Sequence, residues 1–163
     1  MESLKKSENL KLVVSILIPL IAGFIGSIAT ISSIPTWYFT LAKPAWAPPN
    51  WIFGPIWTAL FILMGIALFL VWREGIGRRD VKIAVSIFGV QLVLNVLWSV
   101  IFFGLHSILG GLIEIVFLWT SIIITIITFY RVSKAGGMLL LPYIIWVTIA
   151  SYLTYTVYLL NTH

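Results

Sequence analysis

The chain contains no cysteine, two histidines and only five acidic side chains in 163 residues, and each shortage removes a class of chemistry. Without cysteine there is no disulfide framework, thiolate metal site or cysteine nucleophile, and the redox compartment stays undetermined. His106 and His163 do not make a metal cluster, and Gly75-Ile76-Gly77 precedes Arg78-Arg79-Asp80 without a strand or phosphate loop. Nucleotide chemistry and conventional hydrolysis are therefore not expected. Charge is scarce as well: 9% of residues are Asp, Glu, Lys or Arg, against about 25% in an ordinary globular chain. So few charges cannot cover the surface of a water-soluble domain. The net charge of +5 does not indicate nucleic acid, because the basic residues mark the ends of apolar runs and are not interleaved with base-stacking aromatics along a helix face.

What the chain has in abundance is apolar length, with 61% hydrophobic residues. A membrane-spanning helix needs about 20 mostly apolar residues to cross a hydrocarbon layer about 30 Å thick. Five runs qualify: 12–34, 55–72, 81–103, 108–130 and 138–160. They lack the alternating period of barrel strands, and only helices or closed barrels satisfy the backbone in lipid. The expected fold is an all-α integral membrane protein, a five-helix transmembrane bundle forming a single domain over residues 1–163. Lys5, Lys6 and Lys11 ahead of the first run, with Ser27-Ile28-Ala29 as a cleavage site, allow a signal-peptide reading, but the run from Leu12 to Ile34 exceeds a signal core. Glu2 and Glu8 argue against a transit peptide. Lys5, Lys6, Lys11, Arg73, Arg78, Arg79, Lys82, Arg131 and Lys134 fall on one side of the membrane and Lys43 alone on the other. The positive-inside rule then places the N-terminus in the cytoplasm and the C-terminus outside, in a multi-pass protein of the cell membrane.

The connection from Pro35 to Gly54 carries Pro35, Pro44, Pro48 and Pro49 with Trp37, Trp46 and Trp51. It is expected to be a long, stiff loop that lies in the headgroup belt or folds over the bundle mouth as a lid. Within the spans, Gln91, Asn95 and Trp98 share one face of the third helix, either as interhelical glue or as the lining of a ligand cavity. In the fifth span Trp146, Ala150 and Thr154 follow Tyr143 at helical spacing, a profile that suits a pocket wall or plain packing. Trp57 and Trp119 add indoles, and Trp72 beside Arg73 reads as an interfacial anchor. Glu114 is the single acid inside a predicted span; a snorkelling or helix-terminal role is preferred over ligand or proton handling. Ala22, Gly26 and Thr30, with Gly23 and Ser27, set small residues every four positions, for close helix approach inside the bundle or between two copies.

Trp37-Tyr38, the run from Leu41 through Lys43-Pro44 to Pro49, Trp51, Phe53-Gly54-Pro55-Ile56-Trp57 and Met64-Gly65 resemble the translocator protein family, also called the tryptophan-rich sensory proteins or TspO, which includes the mitochondrial peripheral benzodiazepine receptor. Gln91-Leu92, Leu94-Asn95, Trp98-Ser99 and Phe102-Phe103 fit its third helix, and Pro142-Tyr143, Trp146 and Ala150 its fifth. The resemblance implies a five-helix membrane protein, often dimeric, that needs no obligatory cofactor and binds porphyrins such as protoporphyrin IX and isoquinoline carboxamide ligands beneath the first loop. Matching ligand-binding positions are Tyr38, Trp57, Gln91, Asn95, Trp98, Trp119, Trp146 and Ala150. Bacterial members are associated with light-dependent porphyrin breakdown, in which the positions matching Trp57 and Trp146 are implicated as catalytic. Cholesterol is not carried over: Leu153 and Tyr155 match the sterol stretch, but the basic residue expected after them is missing, and Thr154 stands where mitochondrial members have Asn.

A porphyrin is a flat aromatic disc with carboxylate tails, suited to indole walls and polar amides. The expectation is that Trp57 and Trp146 face the ring, Gln91 and Asn95 hydrogen-bond polar atoms, and Lys43 meets a carboxylate at the entrance. A tetrapyrrole sensor or carrier is the first reading, a light-driven porphyrin-degrading enzyme the second, and a channel or scaffold the third.

Overall fold

The structure is a computed structural model that describes residues 1–162; His163 lies outside the described residues. Among these, helices are the sole regular secondary structure. Helix α1 runs Glu2–Ser33, α2 Phe53–Trp72, α3 Arg79–Ser99, α4 Ile108–Val132, the short α5 Lys134–Met138, and α6 Leu141–Asn161. Five helical segments are long and apolar enough to cross a membrane, the last of them α5 and α6 together.

Local chemistry sets three of the helix starts. Ser107 caps α4 by accepting from the Gly110 N–H at 3.0 Å, and Ser133 caps α5 by accepting from the Gly136 N–H at 3.2 Å. Pro142 stands in the first turn of α6, where a missing N–H leaves no bond unmade. Helix α1 begins at Glu2, well before the expected Leu12, because nothing in the lysine-rich start breaks a helix. Its far end also overruns. Pro35 has no N–H for the Ile31 carbonyl, and the helix widens into a π-turn over Ile34–Tyr38 before ending at Thr40. A 3₁₀ turn, Asn50–Ile52, leads into α2. The irregular connection thus shrinks to residues 41–49, and the long loop expected over 35–54 is helical at both ends.

The helices form a ring in which α1 packs on α2 and α3, α3 on α4, and α4 on α6. The ring closes through α5, which packs on α2; a Cβ at Gly136 would lie 3.3 Å from the Ala67 carbonyl oxygen. Helices α2 and α6 instead meet through rings, Phe53 with Trp146 at 5.8 Å and Trp57 with Tyr143 at 6.2 Å. At the end where α2 turns into α3, the interior is filled by Met64, Ala67, Val71, Val81, Ala84, Ile122 and the stacked Phe88 and Phe129. In lipid such packing stabilises through close van der Waals contact, since apolar surface gains nothing by leaving one greasy surrounding for another.

The opposite end is tied differently. A second π-turn, Val100–Gly104, ends α3 beside the π-turn of α1. Ser33 donates its hydroxyl to the Phe103 carbonyl at 2.5 Å and lies 3.3 Å from His106 Nε2, and the His106 ring stacks on Trp37 at 4.7 Å.

Candidate functional site

The bundle is solid at one end and hollow at the other. A cavity of about 450 Å³ lies among α1, α2, α3 and α6 beneath the connection between α1 and α2. Of the positions expected at a binding site, Tyr38, Trp57, Asn95, Trp98, Trp146 and Ala150 line it.

Gln91 and Trp119 do not. Gln91 is buried one turn below Asn95, where its carbonyl oxygen accepts from the Tyr143 hydroxyl at 2.9 Å, and that hydroxyl in turn accepts from the Asn95 amide at 2.7 Å. The amide pair is thus glue at its lower member and cavity floor at its upper. Trp119 sits on the outer side of α4, 38% exposed, and donates its indole N–H to Thr148 on α6 at 2.9 Å. An indole beside a neighbouring hydroxyl has no need of the interior.

Two further expectations are corrected. Glu114 neither snorkels nor caps: it is 7% exposed on the inward stripe of α4 that continues through Ile115, Leu118 and Ile122. Neither of its carboxylate oxygens has a hydrogen-bond partner among the described residues. Lys43 is not a free cation at an entrance, because its ammonium donates to the Tyr38 and Leu41 carbonyls at 2.7 and 2.9 Å and lies 4.7 Å from the Tyr38 ring centroid. Partial loss of water lowers its pKa from the ordinary lysine value.

The connection above the cavity is fastened at other points too. The Asn161 side chain at the end of α6 grips Ala42 on both sides, accepting from its N–H at 3.0 Å and donating to its carbonyl at 2.9 Å. Trp46 stacks on Tyr152 of α6 at 5.2 Å.

The cavity wall is aromatic and uncharged. Trp98 stacks on Phe102 at 5.1 Å and Trp57 on Phe61 at 5.6 Å, and all four rings line the space. Several lining hydroxyls are turned back on their own helices, Thr30 to Gly26, Thr58 to Gly54 and Thr154 to Ala150. The indole N–H groups of Trp98 and Trp146 are buried without an acceptor among the described residues. A buried donor left unpaired costs about 1–3 kcal/mol. Among the described residues, no Asp, Glu, Lys, Arg or His lines the cavity.

Sequence reasoning passed over Phe102 and Ser99 as cavity walls, along with the α1 face of Gly23, Ser27 and Thr30. The small-residue spacing on α1 was the available signal. That stripe serves the bundle itself, since a Cβ at Gly23 would strike the Phe61 ring and one at Gly26 would lie 3.3 Å from Ser99 Oγ.

Comparison with known proteins agrees over most of the length. Residues 15–160 match the TspO/MBR family. The chain is 48% identical to a tryptophan-rich protein TspO from Chlorobaculum tepidum, covering 87% of this chain and 90% of the relative. It is also 48% identical to one from Archaeoglobus fulgidus, covering 93% and 97%. Protein CrtK of Rhodobacter capsulatus is 39% identical over 83% of this chain and 85% of its own. With five membrane-crossing helical segments and a family match across nearly its whole length, the chain is a multi-pass membrane protein and belongs to the TspO/MBR family.

Proposed function

We propose that the protein is a membrane tetrapyrrole sensor or carrier that binds porphyrins such as protoporphyrin IX in the cavity beneath the α1–α2 connection. The observation that carries this reading is a space of about 450 Å³ that is lined by Trp57, Trp98 and Trp146 and, among the described residues, by no charged side chain. The volume falls within the roughly 300–1,000 Å³ usual for small-molecule sites. Indole faces suit the macrocycle, and the Asn95 amide suits a polar edge. With no cationic lining, the propionates of the guest stay outside the wall while the ring enters. Isoquinoline carboxamides satisfy the same logic, because their fused aromatic ring suits indole faces and their amide suits Asn95. The positive-inside count of basic residues supports a cytoplasmic N-terminus and an external C-terminus.

Purified protein titrated with protoporphyrin IX should show saturable quenching of tryptophan fluorescence. Each aromatic contact contributes about 0.5–1.5 kcal/mol beyond its buried area, so replacing both Trp57 and Trp146 by leucine should weaken binding about ten- to a hundredfold, followed through the absorption of the porphyrin itself. Unchanged affinity in that double variant would remove the site. A second reading, light-dependent porphyrin breakdown, is favoured by the placement of Trp57 and Trp146 on one cavity, where both rings reach the same guest. Illumination of the complex should then yield a new absorbing product that Trp57→Phe or Trp146→Phe diminishes; equal product with all variants assigns the loss of porphyrin to free photochemistry.

A further inference from the structure

The cavity is fastened by several contacts at its roof and loosely packed on its side between α1 and α2. Its roof is held by the Asn161 grip on Ala42, the Trp46–Tyr152 stack and the Lys43 ammonium on the Tyr38 and Leu41 carbonyls. The side between α1 and α2 is different. Deep in the bundle these helices touch: a Cβ at Gly65 would lie 2.5 Å from Ile16 Cα and 2.9 Å from the Ser15 carbonyl oxygen. Toward the roof they part, and a Cβ at Gly54 would meet nothing within 4 Å. The residues flanking this gap belong to the cavity and the outer surface at once. Phe24 and Ile31 of α1 are 69% and 70% exposed, Thr58 and Gly54 of α2 are exposed, and all four line the cavity.

From these observations we infer that the α1–α2 seam is a lateral portal, through which an uncharged planar guest dissolved in the bilayer enters and leaves without the roof opening. The absence of charged side chains from the cavity wall among the described residues fits a guest that arrives from hydrocarbon, where carrying a charge is expensive. The back-bonded hydroxyls of Thr30 and Thr58 leave the portal with little polar surface to desolvate as the guest passes. This inference concerns the route and holds for any bilayer-soluble guest, so it does not depend on the guest being a porphyrin.

The lack of cysteine in the native chain makes the route directly testable. A single thiol is placed on the cavity wall by Ser99→Cys, and the protein is reconstituted into phosphatidylcholine vesicles. Pyrene maleimide, which dissolves in the bilayer, should label this thiol at least tenfold faster than a sulfonated, membrane-impermeant maleimide. Adding Gly54→Leu, whose side chain fills the gap, should slow pyrene labelling about tenfold, whereas adding Asn161→Ala, which frees the roof, should leave it within about twofold. Thr58→Trp supplies an independent plug, and a melting temperature within a few degrees of the Ser99→Cys parent qualifies each variant as folded. Faster labelling by the sulfonated reagent, or a rate set by Asn161→Ala and indifferent to both plugs, would overturn the portal and assign entry to the roof. Porphyrin titration of the same proteins is a separate measurement, so a failed tetrapyrrole reading and a failed route are distinguishable.

Discussion

Gly65→Ala should destabilise the folded bundle by about 3 kcal/mol, the upper end of what overpacking a tight interior costs. The added methyl would meet the backbone of α1 at Ile16 Cα and the Ser15 carbonyl oxygen, 2.5 and 2.9 Å away. Backbone atoms in the middle of a helix cannot step aside singly, so α1 and α2 must separate along the whole contact. Helix propensity alone would favour alanine over glycine by about 1 kcal/mol, which makes the sign of the result informative. Two other glycines provide the comparison. At Gly23 the obstacle is the Phe61 side chain, which can rotate, and at Gly54 there is no neighbour within 4 Å. Thermal unfolding in detergent should rank the variants with Gly65→Ala far below native, Gly23→Ala moderately below, and Gly54→Ala at or above it. If Gly65→Ala melts with the native protein, the helices do not meet as described.

Tyr143→Phe should be the costliest removal of a single atom. That one oxygen accepts from Asn95 and donates to Gln91, on a tyrosine buried where α3 meets α6. Its loss leaves an amide N–H and an amide carbonyl without partners. Unsatisfied buried groups cost about 1–3 kcal/mol each, but hydrogen bonds inside membranes are worth nearer 0.6 kcal/mol on average, so about 2 kcal/mol is expected in total. Gln91→Leu removes the lower acceptor and keeps the Asn95 to Tyr143 bond, so its cost should be smaller. In the double variant Gln91→Leu with Tyr143→Phe the orphaned carbonyl is gone, and the combined loss should fall short of the sum of the two. Strict additivity would mean that these three side chains do not act as a connected set. Asn95 also lines the cavity, so Tyr143→Phe should weaken ligand binding as well, by loosening an amide that the tyrosine orients.

Apolar length was enough to reveal the five spans, because in lipid it is itself the physical requirement for crossing. The rotation of each helix about its axis was far less legible. In a soluble protein the apolar stripe marks the core; in a bilayer the surroundings are as apolar as the interior, so Leu, Ile and Val carry no directional information. The polar and aromatic exceptions had to supply it, and they did so unevenly. Asn95, Trp98 and Trp146 face the cavity, Gln91 lies in register beneath it, and Trp119 finds a hydroxyl on the next helix and faces out. Glu114 was misjudged for the same reason. Its position within two turns of the α4 start suggested an escape to the interface, whereas the buried face of α4 passes through it. The overrun of α1 through Pro35 had a different cause, since proline ends most helices but is here absorbed by a wider turn.

The wall between α2 and α6 is joined by the Phe53–Trp146 and Trp57–Tyr143 ring pairs in place of main-chain packing. The Phe53–Trp146 pair can swivel without any helical hydrogen bond being strained, while Trp57 moves against a Tyr143 ring that Asn95 and Gln91 hold in place. The girth of the chamber is therefore adjustable at little energetic penalty, and guests of unequal thickness should be tolerated with affinities closer together than a rigid mould would allow.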